Sequence, residues 1–304
     1  MTSRRGSSRS STRRQGAPYR GPRDRARVSR GSAHPARTTT ASRASRRAAP
    51  GTSAARKAAS RTSASRTRAR GTPASRSTAP GAIDQTLARQ PWDSLNAPLL
   101  RAGVDVTRAI EQLRDYARLL LDWNRSASNL ISHNDEPRIV ERHLLESLAP
   151  AHWLKESGCA RWIDFGSGAG LPAIPLAIAG VRGHWTLVES RRTKTLFIRK
   201  ALQELSLGHL VTVNDRLENF VEDQAHAAAF DGFTSRATLK LVPTLALAAR
   251  VIAPGGSAFL WKGSGREQEM EQDAGWQGAW EFTGLLGVGS GPNVVVRFIR
   301  KTND

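Results

Sequence analysis

The chain has 304 residues, with 46 lysines and arginines against 26 acids, a formal charge of +20. Residues 1–80 hold 21 of the basic residues and a single acid, Asp24, so the other 224 residues carry 25 of each sign and are neutral. That division excludes a uniformly basic globule and points to a neutral domain carrying a cationic extension.

Residues 1–80 contain no Leu, Ile, Phe or Trp. Such a segment buries too little apolar surface to offset its chain entropy, and a disordered basic tail is expected there. Three readings of it stay open: a non-specific polyanion-binding arm, an organellar transit peptide, or a solvated extension without a role. It has no apolar h-region, so no secretory signal is expected. The longest apolar stretch, Leu171 to Ala179, is nine residues long and contains two prolines, so no membrane span is expected either. The single Cys159 excludes an internal disulfide and a cysteine-rich zinc site. A cytoplasmic, reducing location fits it. His143 and His152 are nine apart, a spacing that closes no tetrahedral site, and no metal is expected.

Beyond the tail, Pro91, Pro98 and Gly103 interrupt any regular pattern, and residues 81–104 read as a linker. From Asp105 or Thr107 a helix is predicted. Val106, Ile110, Leu113, Ala117, Leu120 and Leu121 recur at three- and four-residue steps, and Trp123-Asn124 closes the run. A second helix is predicted from Asp135-Glu136-Pro137, carrying Val140, Leu144 and Leu148 inward. Together these make a helical region over residues 105–158. Strand and helix signals then alternate through 159–304. Strands are predicted at Arg161–Phe165, Trp185–Val188, Val211–Val213, Phe230–Thr234 and Ala258–Trp261, the last after a Pro254-Gly255-Gly256 turn. Helices are predicted over Ala173–Ala179, Thr193–Leu205 and Leu239–Ile252. Two late strands, Trp280–Thr283 and Asn293–Phe298, have no long helix between them. The pattern is that of an α/β fold: a Rossmann-like, doubly wound, mostly parallel sheet with an antiparallel last strand.

Between the first strand and its helix lies Asp164-Phe165-Gly166-Ser167-Gly168-Ala169-Gly170-Leu171-Pro172. Its alternate glycines permit positive φ and close backbone approach to a ligand. Glu189 follows Gly170 by 19 residues, at the end of the second strand, where a carboxylate accepts hydrogen bonds from ribose hydroxyls. The ligand implied is adenosine-containing. A dinucleotide fingerprint spaces its glycines G-x-G-x-x-G, whereas here the spacing is G-x-G-x-G. Asp164 before the turn would repel a pyrophosphate and favour an ammonium and a sulfonium. The sign of that charge favours S-adenosyl-L-methionine over a nicotinamide dinucleotide, and the Pro-Gly-Gly turn resembles that of class I methyltransferases.

Further motifs follow in order. Trp123-Asn124 with Asn129-Leu130-Ile131 resembles W-N-x-x-x-N-L-T. Arg142-His143-Leu144-Leu145-Glu146-Ser147-Leu148 resembles R-H-x-x-D-S-L, with Glu146 in place of Asp. Asp164 to Pro175 resembles D-x-G-S-G-A-G-x-P-G-I-P with Ala173 in place of Gly, and Ser235-Arg236-Ala237 matches S-R-A. On these motifs residues 105–300 resemble the bacterial 16S rRNA guanine-N7 methyltransferases, the glucose-inhibited division protein B family. The resemblance implies a cofactor pocket lined by Gly166, Gly168 and Leu171 in the first loop. It implies Glu189 at the ribose, where the family has Asp, with Leu217 and Glu218 flanking the adenine. Arg236 would stand beside the transferring methyl group, on the cofactor carboxylate, an RNA phosphate or guanine O6. The implied partner is 16S ribosomal RNA or the small ribosomal subunit, and a monomer is expected.

Guanine N7 carries an exposed lone pair, so no general base is expected, and no residue is assigned as catalytic. Arg142 and His143 either contact RNA or form a partly exposed helix face. The cations Arg191, Arg192, Lys194, Arg199 and Lys200 either bind phosphate or are solvated. Trp92, Trp123, Trp153 and Trp185 are expected in the core, and Lys262-Gly263 is a candidate for the substrate side. The other function classes left open are a methyltransferase for another RNA or a small molecule, and a non-catalytic polyanion-binding assembly protein.

Overall fold

The computed structural model describes residues 81–236, 238–289 and 291–302. The expected tail over 1–80, and Ala237 of the Ser-Arg-Ala motif, lie outside the described residues.

Helices come first. α1 (Gly81–Ala88), a 3-10 turn at Trp92–Leu95 and α2 (Asn96–Arg101) occupy the span read as a linker. Ile83, Leu87, Trp92, Leu95 and Leu99 bury their side chains in the main core, so the linker expectation is corrected. Pro98 does not break α2, because it sits in the first turn, where its missing N–H has no intrahelical partner to lose. α3 (Val106–Ser126) follows, its start capped by Asp105, whose carboxylate accepts from the Arg108 N–H. It buries Leu113, Tyr116, Ala117, Leu120 and Leu121 on one face.

The predicted second helix is not a regular one. A 3-10 turn at His133–Arg138 leads into a π-helical stretch, Val140–Leu145, and then short α4 (Glu146–Leu148). Val140, Leu144 and Leu148 are buried as expected, while the widened backbone redirects the residues between them. The turn before it is organised by Asn124. Its amide oxygen accepts from the Leu130 and Ile131 N–H groups at 2.6 and 3.0 Å, and its amide nitrogen donates to buried Glu136 at 2.7 Å. Arg125 pairs with the same carboxylate at 2.8 Å. The Trp-Asn and Asn-Leu motif residues are thus two sides of one closed turn.

After α5 (Ala151–Glu156) the chain alternates: β1 (Arg161–Phe165), α6 (Ala173–Ile178), β2 (His184–Val188), α7 (Arg192–Glu204), β3 (Leu210–Val213), α8 (Leu217–Phe220), β4 (Phe230–Arg236), α9 (Leu241–Val251), β5 (Ile252–Lys262), α10 (Arg266–Gln272), β6 (Trp280–Gly287) and β7 (Val294–Arg300). The seven strands form one sheet in the order β3-β2-β1-β4-β5-β7-β6. β1 to β5 are parallel, and β7 runs antiparallel to both β5 and β6. This is the doubly wound sheet expected. Pro254-Gly255-Gly256 lies inside β5 rather than before it, at a register irregularity against β4. Each sheet face carries its own apolar core. Trp162 and Trp185 lie on one side, stacked with centroids 4.9 Å apart, and Ile163, Phe165, Val188 and Phe233 lie on the other. The reversal of strand order between β1 and β4 opens a crevice at the carboxyl ends of the strands, where such sheets bind ligands.

Candidate active site

β1 delivers the chain into the glycine-rich turn, and the backbone there needs glycine. Gly166 and Gly168 have φ of +67° and +57°. A methyl group on Gly166 would also collide with the Thr238 side chain across the crevice. The turn is pinned to β2: the Gly166 and Ser167 N–H groups donate to the Val188 carbonyl at 2.9 and 3.2 Å. Glu189, just past β2, is almost fully buried and receives the Gly168 N–H at 2.9 Å on one carboxylate oxygen and the Arg191 N–H at 2.8 Å on the other. Each oxygen accepts one hydrogen bond and has room for a second, so each keeps a lone pair for a ligand.

These groups line a cavity of about 410 Å³, with Val188 and Leu217 as apolar walls and Arg191, Lys194, Arg216 and Glu218 toward its rim. Five of the residues expected at a cofactor line it: Gly166, Gly168, Glu189, Leu217 and Glu218. Leu171 does not, because the chain turns its side chain into the apolar core between the helices. Arg236 does not either.

Arg236 leaves the end of β4 in the opposite direction. One terminal nitrogen donates to the His143 carbonyl and the Ser147 hydroxyl, both at 3.2 Å. The other reaches the Arg142 carbonyl and the Glu146 carboxylate, the latter at 2.8 Å. Carbonyls turned out by the π-helical stretch are thereby satisfied, and all four terminal N–H bonds of the guanidinium are engaged. The guanidinium expected at the cofactor carboxylate, an RNA phosphate or guanine O6 is here engaged within the chain. It is a strut between β4 and the helical region. His143 beside it is held neutral: burial, with the nearby Arg236 and Arg142 charges, lowers its pKa to about 3.

Asp164 lies beneath the turn and is fully buried. The Thr234 hydroxyl donates to one carboxylate oxygen at 2.6 Å, and the other oxygen has no partner among the described residues. Burial pushes its carboxyl up to about 7, against the pull of the Thr234 hydrogen bond and with the Glu189 charge adding to the rise. Tyr116 of α3, a residue sequence reasoning passed over, reaches the same turn and donates to the Ala169 carbonyl at 2.8 Å. Its burial raises its pKa, so it stays a hydrogen-bond donor. The signal was available: Tyr116 follows Leu113 by three positions on the buried face of α3.

Two smaller cavities continue from the first. One of about 300 Å³ shares Thr238 and Leu239 with it and adds Ser235, Trp261, Lys262 and Gly263. The next, of about 210 Å³, shares Trp261, Lys262 and Gly263 and is closed by Arg142, Glu146, Arg236 and Asn293. The Lys262-Gly263 pair named from the sequence therefore lies between the two.

Comparison with known proteins supplies the family. The family model for rRNA small subunit methyltransferase G (GidB) matches residues 109–278, more than half of the chain. Ribosomal RNA small subunit methyltransferase G of Xanthomonas axonopodis pv. citri is 37% identical over 194 residues, covering 64% of this chain and 87% of that protein. The enzyme of the same name from Klebsiella pneumoniae is 36% identical over 180 residues, covering 59% and 83%. That of Cellvibrio japonicus is 39% identical over 170 residues, covering 55% and 75%. With a doubly wound sheet, a glycine-rich turn after β1 and an acidic residue after β2 already in place, the chain belongs to the rRNA small subunit methyltransferase G family.

Proposed function

We propose that this methyltransferase transfers a methyl group from S-adenosylmethionine to N7 of a guanine in 16S ribosomal RNA. The observation that carries the cofactor is the 410 Å³ cavity, in which backbone glycines, the Glu189 carboxylate and the Leu217 wall converge at the crevice between β1 and β4. The orphaned oxygen of Asp164 fits the same group, since a buried carboxylate without a partner favours a cationic ligand nearby.

Glu189 would hold the ribose hydroxyls, Val188 and Leu217 the faces of the adenine, and Glu218 its amino group. The Gly166 and Gly168 backbone would border the amino-acid end, with Asp164 beneath. When bound, S-adenosylmethionine supplies an electrophilic methyl on sulfur, which a neutral lone pair such as guanine N7 accepts without loss of a proton. The chain therefore has to orient two partners and exclude water rather than move a proton. It offers the means: a rigid turn pinned to β2, and a helical region locked to β4 through Arg236. The rRNA substrate rests on the ordered motifs and on the relatives, which are named for small-subunit ribosomal RNA.

Incubation with small-subunit rRNA and methyl-labelled S-adenosylmethionine, followed by nucleoside digestion, tests the reading. Label in N7-methylguanosine is expected. Label in another nucleoside, or tight NADH binding without S-adenosylhomocysteine binding in calorimetry, would overturn it.

A further inference from the structure

The 210 Å³ cavity at the end of the series is charged and built around one buried carboxylate. Glu146 is 4% exposed. One of its oxygens receives Arg142 at 2.9 Å and the Asn293 amide nitrogen at 3.2 Å, while the other receives only Arg236, at 2.8 Å. Its main-chain carbonyl is fixed by the Trp261 indole N–H at 2.7 Å. Glu146 is thus held at its carboxylate from the helical region, β4 and the residue before β7, and at its main chain from β5, yet the oxygen facing Arg236 keeps a lone pair.

Asn293 has a matching vacancy. Its nitrogen is identified by its carboxylate partner, which can only accept, so its oxygen is the atom turned toward Gly263. That oxygen has no hydrogen-bond partner among the described residues. A Cβ built on Gly263 would stand 3.8 Å from it, so the glycine leaves the space before it open. Two acceptors therefore look into one small cavity beside cationic donors from Arg142 and Lys262.

We propose that this cavity is the guanine-reading subsite: Glu146 accepts the N1–H of the target base, Asn293 accepts its N2 amino group, and N7 points back toward the cofactor cavity. The inference rests on the guanine-N7 reading above and deepens it. The geometry of the purine supports it. The N1/N2 edge and N7 lie on opposite sides of the base, with O6 between them, and Lys262 lines both the middle and the end cavity, where O6 would fall. Adenine is rejected because its N1 is an acceptor and would face the carboxylate without a proton between them. Methylation also leaves the base cationic, which makes N1–H a stronger donor. The bond to Glu146 then tightens as the methyl group arrives, which is the kind of interaction that raises kcat rather than binding alone.

The test uses the full chain saturated with S-adenosylhomocysteine, with 5′-GMP, 5′-IMP and 5′-AMP as probes in ligand-observed NMR titrations. IMP differs from GMP only in lacking the N2 amino group. GMP is expected to bind about tenfold more tightly than IMP, the loss of one hydrogen bond to a waiting acceptor, and AMP more weakly still. In Asn293→Ala the GMP preference over IMP should collapse to about unity while GMP still outbinds AMP. In Glu146→Gln, rRNA methylation should lose kcat with little change in KM; if that variant does not fold, Asn293→Ala decides alone. No detectable GMP binding, or a GMP-to-IMP ratio that Asn293→Ala leaves unchanged, overturns the subsite. Should N7-methylguanosine still be formed on rRNA in that case, only the subsite falls. If no N7-methylguanosine is formed, the parent reading falls.

Discussion

At the scale of single residues, Asp164 carries the most consequential electrostatics. Its folded pKa of about 7 lies above the ordinary carboxylate value, so the fold prefers the protonated form. Its contribution to stability is therefore full below about pH 4 and is lost as the pH rises through about 7. The size of the loss is on the order of 2–4 kcal/mol for so fully buried a group. Asp164→Asn should remove that part of the pH dependence and be more stable than the wild type at pH 8, in denaturant titrations without ligand. The same substitution should weaken S-adenosylhomocysteine binding and abolish its strengthening between pH 6 and 8. A variant with wild-type affinity and pH profile would remove Asp164 from the site. The glycine turn and the place of Glu189 beside it were legible residue by residue, because both are set by local backbone and short spacing. Leu171 and Arg236 were not. Where their side chains point depends on partners distant in sequence, the core between the helices for one and residues 142–147 for the other.

At the scale of elements, the helical region is held by polar clamps more than by regular helix. Asn124 closes the 128–131 turn and donates to Glu136, itself buried. Asn124→Ala removes three hydrogen bonds and leaves two amides and a carboxylate short of partners. A loss of about 2–4 kcal/mol is expected, read as a fall in the denaturant midpoint with an unchanged slope; a change below 0.5 kcal/mol would contradict the clamp. The strands of the parallel sheet were readable because each is a short apolar run between turn residues. The π-helical stretch was not. Val140, Leu144 and Leu148 fit an α-helix equally well, and the carbonyls that widen it are claimed by Arg236, about ninety residues later. The span 81–104 misled for the opposite reason: its prolines fall at a helix start and between helices, where they interrupt nothing.

At the scale of the whole molecule, a charge of +20 belongs to a chain whose catalytic domain is neutral. The family is carried by the site and the motifs from Trp123 to Arg236, and the tail takes no part in that argument. Removing residues 1–80 should leave S-adenosylhomocysteine affinity unchanged. If the arm binds polyanions, removal should also flatten the dependence of RNA affinity on salt, since each phosphate contact contributes roughly −0.7 to −0.9 to the log–log slope. Equal slopes for the full and shortened chains would assign RNA binding to the domain alone. Among the described residues no helix is long and apolar enough to cross a membrane.

The most direct test of the central claim is to map N7-methylguanine in 16S rRNA from a strain lacking the gene, with and without the gene restored, by borohydride–aniline cleavage and primer extension. The account predicts one cleavage stop that is absent in the deletion strain and returns with the wild-type gene but not with a Gly166→Val variant. An rRNA cleavage pattern identical with and without the gene would contradict it.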